Sequence, residues 1–123
     1  MILKYPNRRN TILTIVFVSV ACVGQLMAHA ILFESTPARN AIIGGHLGIV
    51  KLRFNVRVDA SRSRLALVFP SGSLEALEVK SQEPADVVAA DVSDLPPGHY
   101  DLKWQVLASD GHITQGDIPF AVK

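Results

Sequence analysis

Residues 94–108 read DLPPGHYDLKWQVLA, and this stretch decides the fold. From Tyr100 to Val106, apolar side chains alternate with polar ones, which is the pattern of a β-strand with one face in a core. A turn signal, Pro96-Pro97-Gly98, stands directly before this strand. The stretch also predicts a tyrosine corner, in which the hydroxyl of Tyr100 donates a hydrogen bond to the backbone just upstream. It therefore indicates an immunoglobulin-like β-sandwich.

Outward from this stretch, short β-type runs separated by turn residues recur along the chain after residue 29. We find no segment with helical periodicity, no internal repeat and no low-complexity tract there. Seven short strands in about 95 residues are typical of an immunoglobulin-like sandwich, so the predicted fold class is all-β. The predicted strands are Ile31–Glu34, Leu47–Asn55, Arg64–Phe69, Leu74–Lys80, Asp86–Val92, His99–Ala108 and Ile113–Val122.

Four aromatic residues are predicted to anchor the core of this sandwich: Phe54, Tyr100, Trp104 and Phe120. A domain of this size buries only roughly 60–65% of the surface that its unfolded chain exposes. We therefore expect its stability to depend strongly on these few large side chains.

Residues 1–28 have the form of a secretory signal peptide. Three basic residues occur in the first nine positions, the uncharged run Thr11–Val23 follows, and small residues surround Ala28 and Ala30. The run is too short for a hydrocarbon core that needs roughly 20 residues. A retained anchor is the alternative, whereas lipidation at Cys22 is disfavoured because no large aliphatic residue stands three positions earlier.

Two cleavage points fit this segment, one before His29 and one after Ala30, and the residues by themselves slightly favour the second. Cleavage before His29 leaves a single domain of residues 29–123 and changes the formal net charge from +1 to −2, because three basic residues are lost. No basic patch for nucleic acid remains, and we expect a mature domain that is not inserted in a membrane. The same cleavage removes Cys22 and both Met, so the mature domain has no sulfur donor for a metal ion. Any metal would be held by nitrogen and oxygen donors, which suit Cu(II), Ni(II) or Zn(II) better than Cu(I).

Strand direction separates the four histidines into two groups. If the seven strands alternate in direction, His29 and the Asp110-Gly111-His112 loop share one end of the sandwich, whereas His46 and His99 lie at the other. After cleavage before His29, its α-amine and imidazole can chelate one metal ion, and Asp110 and His112 can project to the same side. Such an N₃O set is the kind that Cu(II) prefers. The alternative is that Asp110-Gly111-His112 is only a turn. His46 and His99 are expected to be surface turn residues.

Both termini resemble the CopC copper-resistance family of periplasmic copper-binding proteins. Residues 29–38, HAILFESTPA, resemble the family's opening, and the spacing of Trp104, Asp110 and His112 resembles its closing pattern. The resemblance implies a mature protein that starts at His29 and binds one Cu(II) ion through the amine and imidazole of His29 with Asp110 and His112. It also implies a Greek-key β-barrel and a periplasmic location.

The chain departs from the family pattern at a few positions. The domain after residue 28 has no Met, so a second site for Cu(I) is not expected. Asn55 stands where some relatives have an acid, and Ile113 replaces a frequent Pro. None of these differences removes His29, Asp110 or His112.

The resulting hypothesis is a periplasmic Cu(II) carrier in copper homeostasis or resistance, without a catalytic step. Its partners are the copper ion and either an inner-membrane copper importer or another periplasmic copper protein. One alternative is an oxidative enzyme of the copper-brace, monooxygenase type. Few aromatics are available for a substrate surface, and Asp110 would occupy a position that oxygen activation needs open. The other alternative is a metal-free adhesion or assembly module.

Overall fold

The computed structural model describes residues 29–81 and 84–123, so the predicted signal peptide, residues 1–28, lies outside the described residues. The described residues form nine strands: β1 (Leu32–Thr36), β2 (Ile42–Ile43), β3 (Gly48–Phe54), β4 (Val58–Val68), β5 (Leu74–Leu77), β6 (Lys80–Ser81), β7 (Val87–Val92), β8 (Gly98–Ala108) and β9 (Ile113–Val122). None of these residues belongs to a helix of the length and apolar character needed to span a membrane.

The strands form two sheets, one in the order β1-β3-β7-β6 and the other in the order β2-β9-β8-β4-β5. Neighbouring strands are antiparallel except β2 and β9, which run parallel. The hairpin of β8 and β9 pairs residues continuously from Leu107 and Ile113 to Gly98 and Val122. The apolar faces of both sheets supply the buried core, which confirms the predicted all-β sandwich.

Of the seven predicted strands, only Ile113–Val122 has the predicted bounds, and four others differ by one or two residues at an end. The short strand β2 was not predicted, and two predictions, Arg64–Phe69 and Leu74–Lys80, were wrong by more.

β4 begins at Val58 rather than Arg64, because Val58 and Asp59 already pair with β8. The register then shifts between Asp59 and Arg64, and this irregularity hides the alternation in the sequence. The predicted strand Leu74–Lys80 is divided, because β5 pairs with β4 in one sheet whereas β6 pairs with β7 in the other. The chain therefore changes sheets between these two short strands.

The four predicted aromatic anchors are all buried, and they pack in two pairs. Phe54 meets Trp104 edge-on at 5.3 Å between ring centroids, and Tyr100 stacks on Phe120 at 5.5 Å. The hydroxyl of Tyr100 donates a 2.7 Å hydrogen bond to the carbonyl of Pro96, which confirms the tyrosine corner. The first pair joins the two sheets, whereas the second lies within the sheet that contains β8 and β9.

Glycine is required at position 116, opposite Trp104 in the hairpin of β8 and β9. A Cβ atom at this position would lie 2.7 Å from the indole ring, which is closer than van der Waals contact allows. The absence of a side chain lets the Trp104 ring lie directly against β9, so this hairpin is firmly packed before it reaches the loop at its end.

Candidate metal centre

The loop between β8 and β9 carries Asp110 and His112, and its backbone is closely tied. The N–H of Gly111 donates to the carbonyl of Ala108 at 2.9 Å, and the N–H of Ala108 donates to the carbonyl of His112 at 2.8 Å. Gly111 has a φ of 90°, a left-handed conformation that favours glycine. The tight turn therefore brings the side chains on either side of Gly111 close together.

Asp110 is oriented by a hydrogen bond within this loop. Its Oδ1 accepts the backbone N–H of His112 at 3.0 Å, and its Oδ2 lies 3.1 Å from Nδ1 of the same residue. The pKa of Asp110 is held below its ordinary value, mainly by the N–H of His112, with smaller contributions from the imidazoles of His112 and His29, while burial acts in the opposite direction. The carboxylate is therefore ionised at neutral pH and faces the imidazole.

His29 reaches the same place from the start of β1, at the edge of the other sheet. The next residue, Ala30, is only 2% exposed and belongs to the core. The following residue, Ile31, makes two hydrogen bonds with Asn55: its N–H donates to the side-chain oxygen at 2.6 Å, and its carbonyl accepts the backbone N–H at 3.0 Å. His29 is therefore held next to two consecutive anchored residues.

The three side chains converge at one end of the sandwich. The rings of His29 and His112 meet edge-on at 4.9 Å between centroids, with 74° between their planes. One donor atom from each of His29, Asp110 and His112 lies within 4.8 Å of the others. No other group of three or more His, Cys, Asp or Glu with this spacing occurs among residues 29–81 and 84–123.

One donor atom in this cluster is left unsatisfied. Nδ1 of His112 is buried and makes no regular hydrogen bond among the described residues, and its nearest described polar contact is Oδ2 of Asp110, at 3.1 Å. Buried polar atoms are nearly always paired, so such an atom calls for an explanation. A metal ion between the three residues would supply the missing partner, and two imidazoles with a carboxylate are an N/O set that suits Cu(II).

The other two histidines lie away from this cluster, as strand direction predicts. His46, between β2 and β3, contacts the carboxylate of Asp94 through Nδ1 at 2.6 Å, and both side chains are highly exposed. His99 lies at the start of β8, paired with Ala121 of β9. Neither belongs to a described group of three candidate ligands.

Sequence reasoning missed the contribution of Asn55. It noted this residue only as a neutral replacement for an acid, whereas the structure shows its carboxamide bound to the backbone beside His29. A polar residue immediately after a strand end was the available signal, but its partner lies 24 residues away in the chain. A hydrogen bond over that distance leaves no local pattern.

The fold and this donor set define a small β-sandwich protein with a candidate metal centre at one end. Residues 32–123 match the CopC domain, and the chain belongs to the CopC family. This confirms the family expected from the two termini. The matched region begins three residues after His29, so His29 itself lies just outside it.

Curated relatives include Protein YobA of Escherichia coli, which is 30% identical over 102 residues that span 80% of this chain and 82% of YobA. Copper transport protein CutJ of Bacillus subtilis is 24% identical over 98 residues. This match covers 77% of this chain but only 18% of CutJ. The chain thus corresponds to most of YobA and to a small part of CutJ.

Solved structures with the same fold include CopC from Methylosinus trichosporium, with a TM-score of 0.73 and 30% identity, covering 77% of this chain and 94% of that protein. PcoC, a copper resistance protein from Escherichia coli, superposes with a TM-score of 0.65 at 22% identity, covering 76% of this chain and 99% of PcoC. At that identity, the likeness to PcoC supports the fold alone.

Proposed function

We propose that this protein binds one Cu(II) ion between His29, Asp110 and His112 and acts as a periplasmic copper carrier in copper resistance or homeostasis. The observation that carries the proposal is the convergence of these three side chains, with one donor atom from each within 4.8 Å of the others. Copper is the cargo of such a protein, and no catalytic step is required.

The family and the relatives support copper as the metal. The chain belongs to the CopC family, PcoC is described as a copper resistance protein, and CutJ as a copper transport protein. Among first-row divalent ions, affinity for a given nitrogen and oxygen site is highest for Cu(II). The absence of Met and Cys from residues 29–123 argues against a preference for Cu(I).

The α-amine of His29 is the proposed fourth donor. Cleavage of a signal peptide, residues 1–28, would expose it beside its own imidazole, and the two nitrogens could chelate the same ion. Export through this signal is also the basis for the proposed periplasmic location. Ala30 is buried in the core, so a cut after Ala30 would remove both the ligand and its anchor.

The geometry favours a carrier that releases its metal to a partner. Asp110 and His112 remain partly open, with 24% and 36% of their side chains exposed, so an incoming ligand can reach the ion. The proposed recipient is an inner-membrane copper importer or another periplasmic copper protein. The match of this domain to a small part of a much longer copper transport protein supports that use.

The monooxygenase alternative has no specific observation in its favour. The aromatic anchors Phe54, Tyr100, Trp104 and Phe120 are buried rather than arranged as a substrate surface. Phe33, which is 65% exposed, is an exception, but it lies against the guanidinium of Arg53 at 6.0 Å. Copper-dependent consumption of peroxide in the presence of a reductant would support the enzyme instead.

The proposal is tested on the secreted protein. N-terminal sequencing should return His29 as the first residue, and one equivalent of Cu(II) should give a type-2 paramagnetic resonance spectrum with nitrogen splitting. A first residue of Ile31, or the absence of such a spectrum, would contradict the proposed centre and favour a metal-free module.

A further inference from the structure

The short connection between β3 and β4 touches both halves of the candidate centre. Asn55 binds Ile31, two residues after His29, through two hydrogen bonds. Two residues further along, the carbonyl of Arg57 accepts the backbone N–H of Ser109 at 3.0 Å, immediately before Asp110. One segment of three residues therefore contacts the backbone of both ligand-bearing segments.

This connection matters because the two halves of the centre belong to different sheets. His29 precedes β1, at the edge of one sheet, and His112 precedes β9 in the other. β1 and β9 are not hydrogen-bonded to each other, so sheet pairing alone does not set the distance between the two imidazoles. The connection from β3 to β4 passes from the first sheet to the second at this end and can set that distance.

Within this connection, the side chain of Asn55 binds a backbone N–H that the pairing of β1 with β3 does not reach. Pairing between β1 and β3 begins at Leu32 and Phe54, and the register shifts between Leu32 and Glu34. The N–H of Ile31 lies beyond this irregular ladder and is bound by the Asn55 carboxamide oxygen instead of a backbone carbonyl. Without that oxygen, only one of the two hydrogen bonds that hold Ile31 would remain.

We propose that Asn55 is a positioning residue for copper: its side-chain oxygen fixes the start of β1 so that His29 meets Asp110 and His112, without binding the ion itself. This inference rests on the proposed function. Residues that orient a metal ligand without touching the metal typically contribute about tenfold or more to affinity.

The test compares three variants with the wild-type secreted protein. Asn55→Leu keeps the size of the side chain but removes the acceptor, Asn55→Asp keeps an acceptor oxygen, and Ser35→Ala is the matched control. Ser35 lies in β1, the strand that follows His29, and its hydroxyl donates a 2.9 Å hydrogen bond to the carbonyl of Pro37, at the end of β1 away from His29. Cu(II) affinity is measured by competition titration, together with the paramagnetic resonance spectrum and the melting temperature.

Asn55→Leu should lower Cu(II) affinity about tenfold and alter the nitrogen splitting, because His29 is no longer held in place. Asn55→Asp should retain the wild-type spectrum and affinity, and Ser35→Ala should change neither. Asn55 is exposed, so Asn55→Leu should fold, which circular dichroism checks. If it does not, Asn55→Ala carries the same expectation.

Failure of this inference is distinguishable from failure of the proposed function. If the wild-type protein gives no type-2 spectrum, the proposed function itself is wrong. If the wild type binds copper and Asn55→Leu binds it with the same affinity and spectrum, only the positioning role is overturned. A loss of affinity in Asn55→Asp as large as that in Asn55→Leu would show that the acceptor oxygen does not hold His29 in place and would also overturn the positioning role.

Discussion

The two ends of the sandwich each hold a close pair of aspartate and histidine, but the two pairs differ in solvent exposure and in whether a third candidate ligand lies nearby. At one end, Asp110 and His112 lie within one tight loop, and His29 approaches from the other sheet. At the other end, Asp94 and His46 are 2.6 Å apart, yet 71% and 90% of their side chains are exposed. A short contact between an acid and an imidazole is therefore not enough to define a metal centre.

Two features separate the candidate centre from the exposed pair. Nδ1 of His46 contacts the carboxylate of Asp94 in open solvent, whereas Nδ1 of His112 is enclosed beside the carboxylate of Asp110. A third donor, His29, joins only the first end. Convergence of three enclosed or partly enclosed donors indicates a site, whereas an exposed ion pair indicates surface electrostatics of small energetic value.

The largest expected effect comes from deleting one imidazole at each end. His112→Ala should weaken Cu(II) binding by more than about hundredfold, because a direct ligand contributes more than its supporting residues. His46→Ala should leave the affinity within about twofold, because exposed residues away from the site contribute little. Competition titration measures the Cu(II) affinity of both variants. Equal losses of affinity would contradict the assignment of the metal centre to the end that holds His112.

The next effect comes from removing the charge of Asp110. Asp110→Asn should weaken Cu(II) binding by about tenfold, less than His112→Ala, because the amide oxygen of Asn can still face the ion and only the negative charge is lost. The pKa of Asp110 is lowered in the folded state, so ionisation stabilises the metal-free fold above the ordinary value of 3.8, and this contribution disappears as the pH falls through the lowered value.

Metal-free wild type should therefore be more stable than Asp110→Asn at pH 7, and the difference should vanish in strong acid. Urea denaturation of both proteins at the two pH values measures this. A difference that grows on acidification would contradict the assigned pKa direction.

A smaller effect is expected from the tyrosine corner at the end away from the centre. Tyr100→Phe removes the hydrogen bond to the carbonyl of Pro96 and should lower the free energy of unfolding by about 1 kcal/mol. Cu(II) affinity should not change, because the packing of the ring against Phe120 is retained. Thermal unfolding and copper titration on the same sample test this, and a loss of affinity would show that the two ends are coupled.

The smallest effect is expected at the exposed pair itself. Asp94→Asn should change the free energy of unfolding by less than about 0.5 kcal/mol, because both partners are largely in solvent and the attraction is screened. Chemical denaturation measures it. A loss as large as that from Tyr100→Phe would mean that the exposed pair holds its loops together and that the contrast between the two ends is overstated.

Sequence reasoning worked best where local alternation and packing agree. Nearly all of β8 follows from strict alternation, the predicted bounds of β9 are confirmed, and the tyrosine corner follows from its own short motif. It failed along the first half of β4, where the register shifts, and between β5 and β6, where the chain passes from one sheet to the other. Such irregularities depend on partner strands that are distant in sequence.

The candidate centre shows the same division. Strand direction predicted that His29 and the Asp110-Gly111-His112 loop lie at one end, and the structure brings them within reach of one ion. Direction alone could not supply the enclosure of Nδ1 of His112, which depends on the packing of the folded chain. It also could not supply the hydrogen bonds of Asn55, whose partner lies 24 residues away in the sequence. Whether the three residues bind copper stays a prediction.

The order of residues along the chain establishes the strand pattern, the turn at Gly111 and a donor set of nitrogen and oxygen after residue 28, because these depend on residue type and near neighbours. The distance between the imidazoles of His29 and His112 depends on how two separate sheets pack and on the connection that joins them. Packing of distant segments is a property of the whole core, so only the folded chain decides whether these donors form one centre.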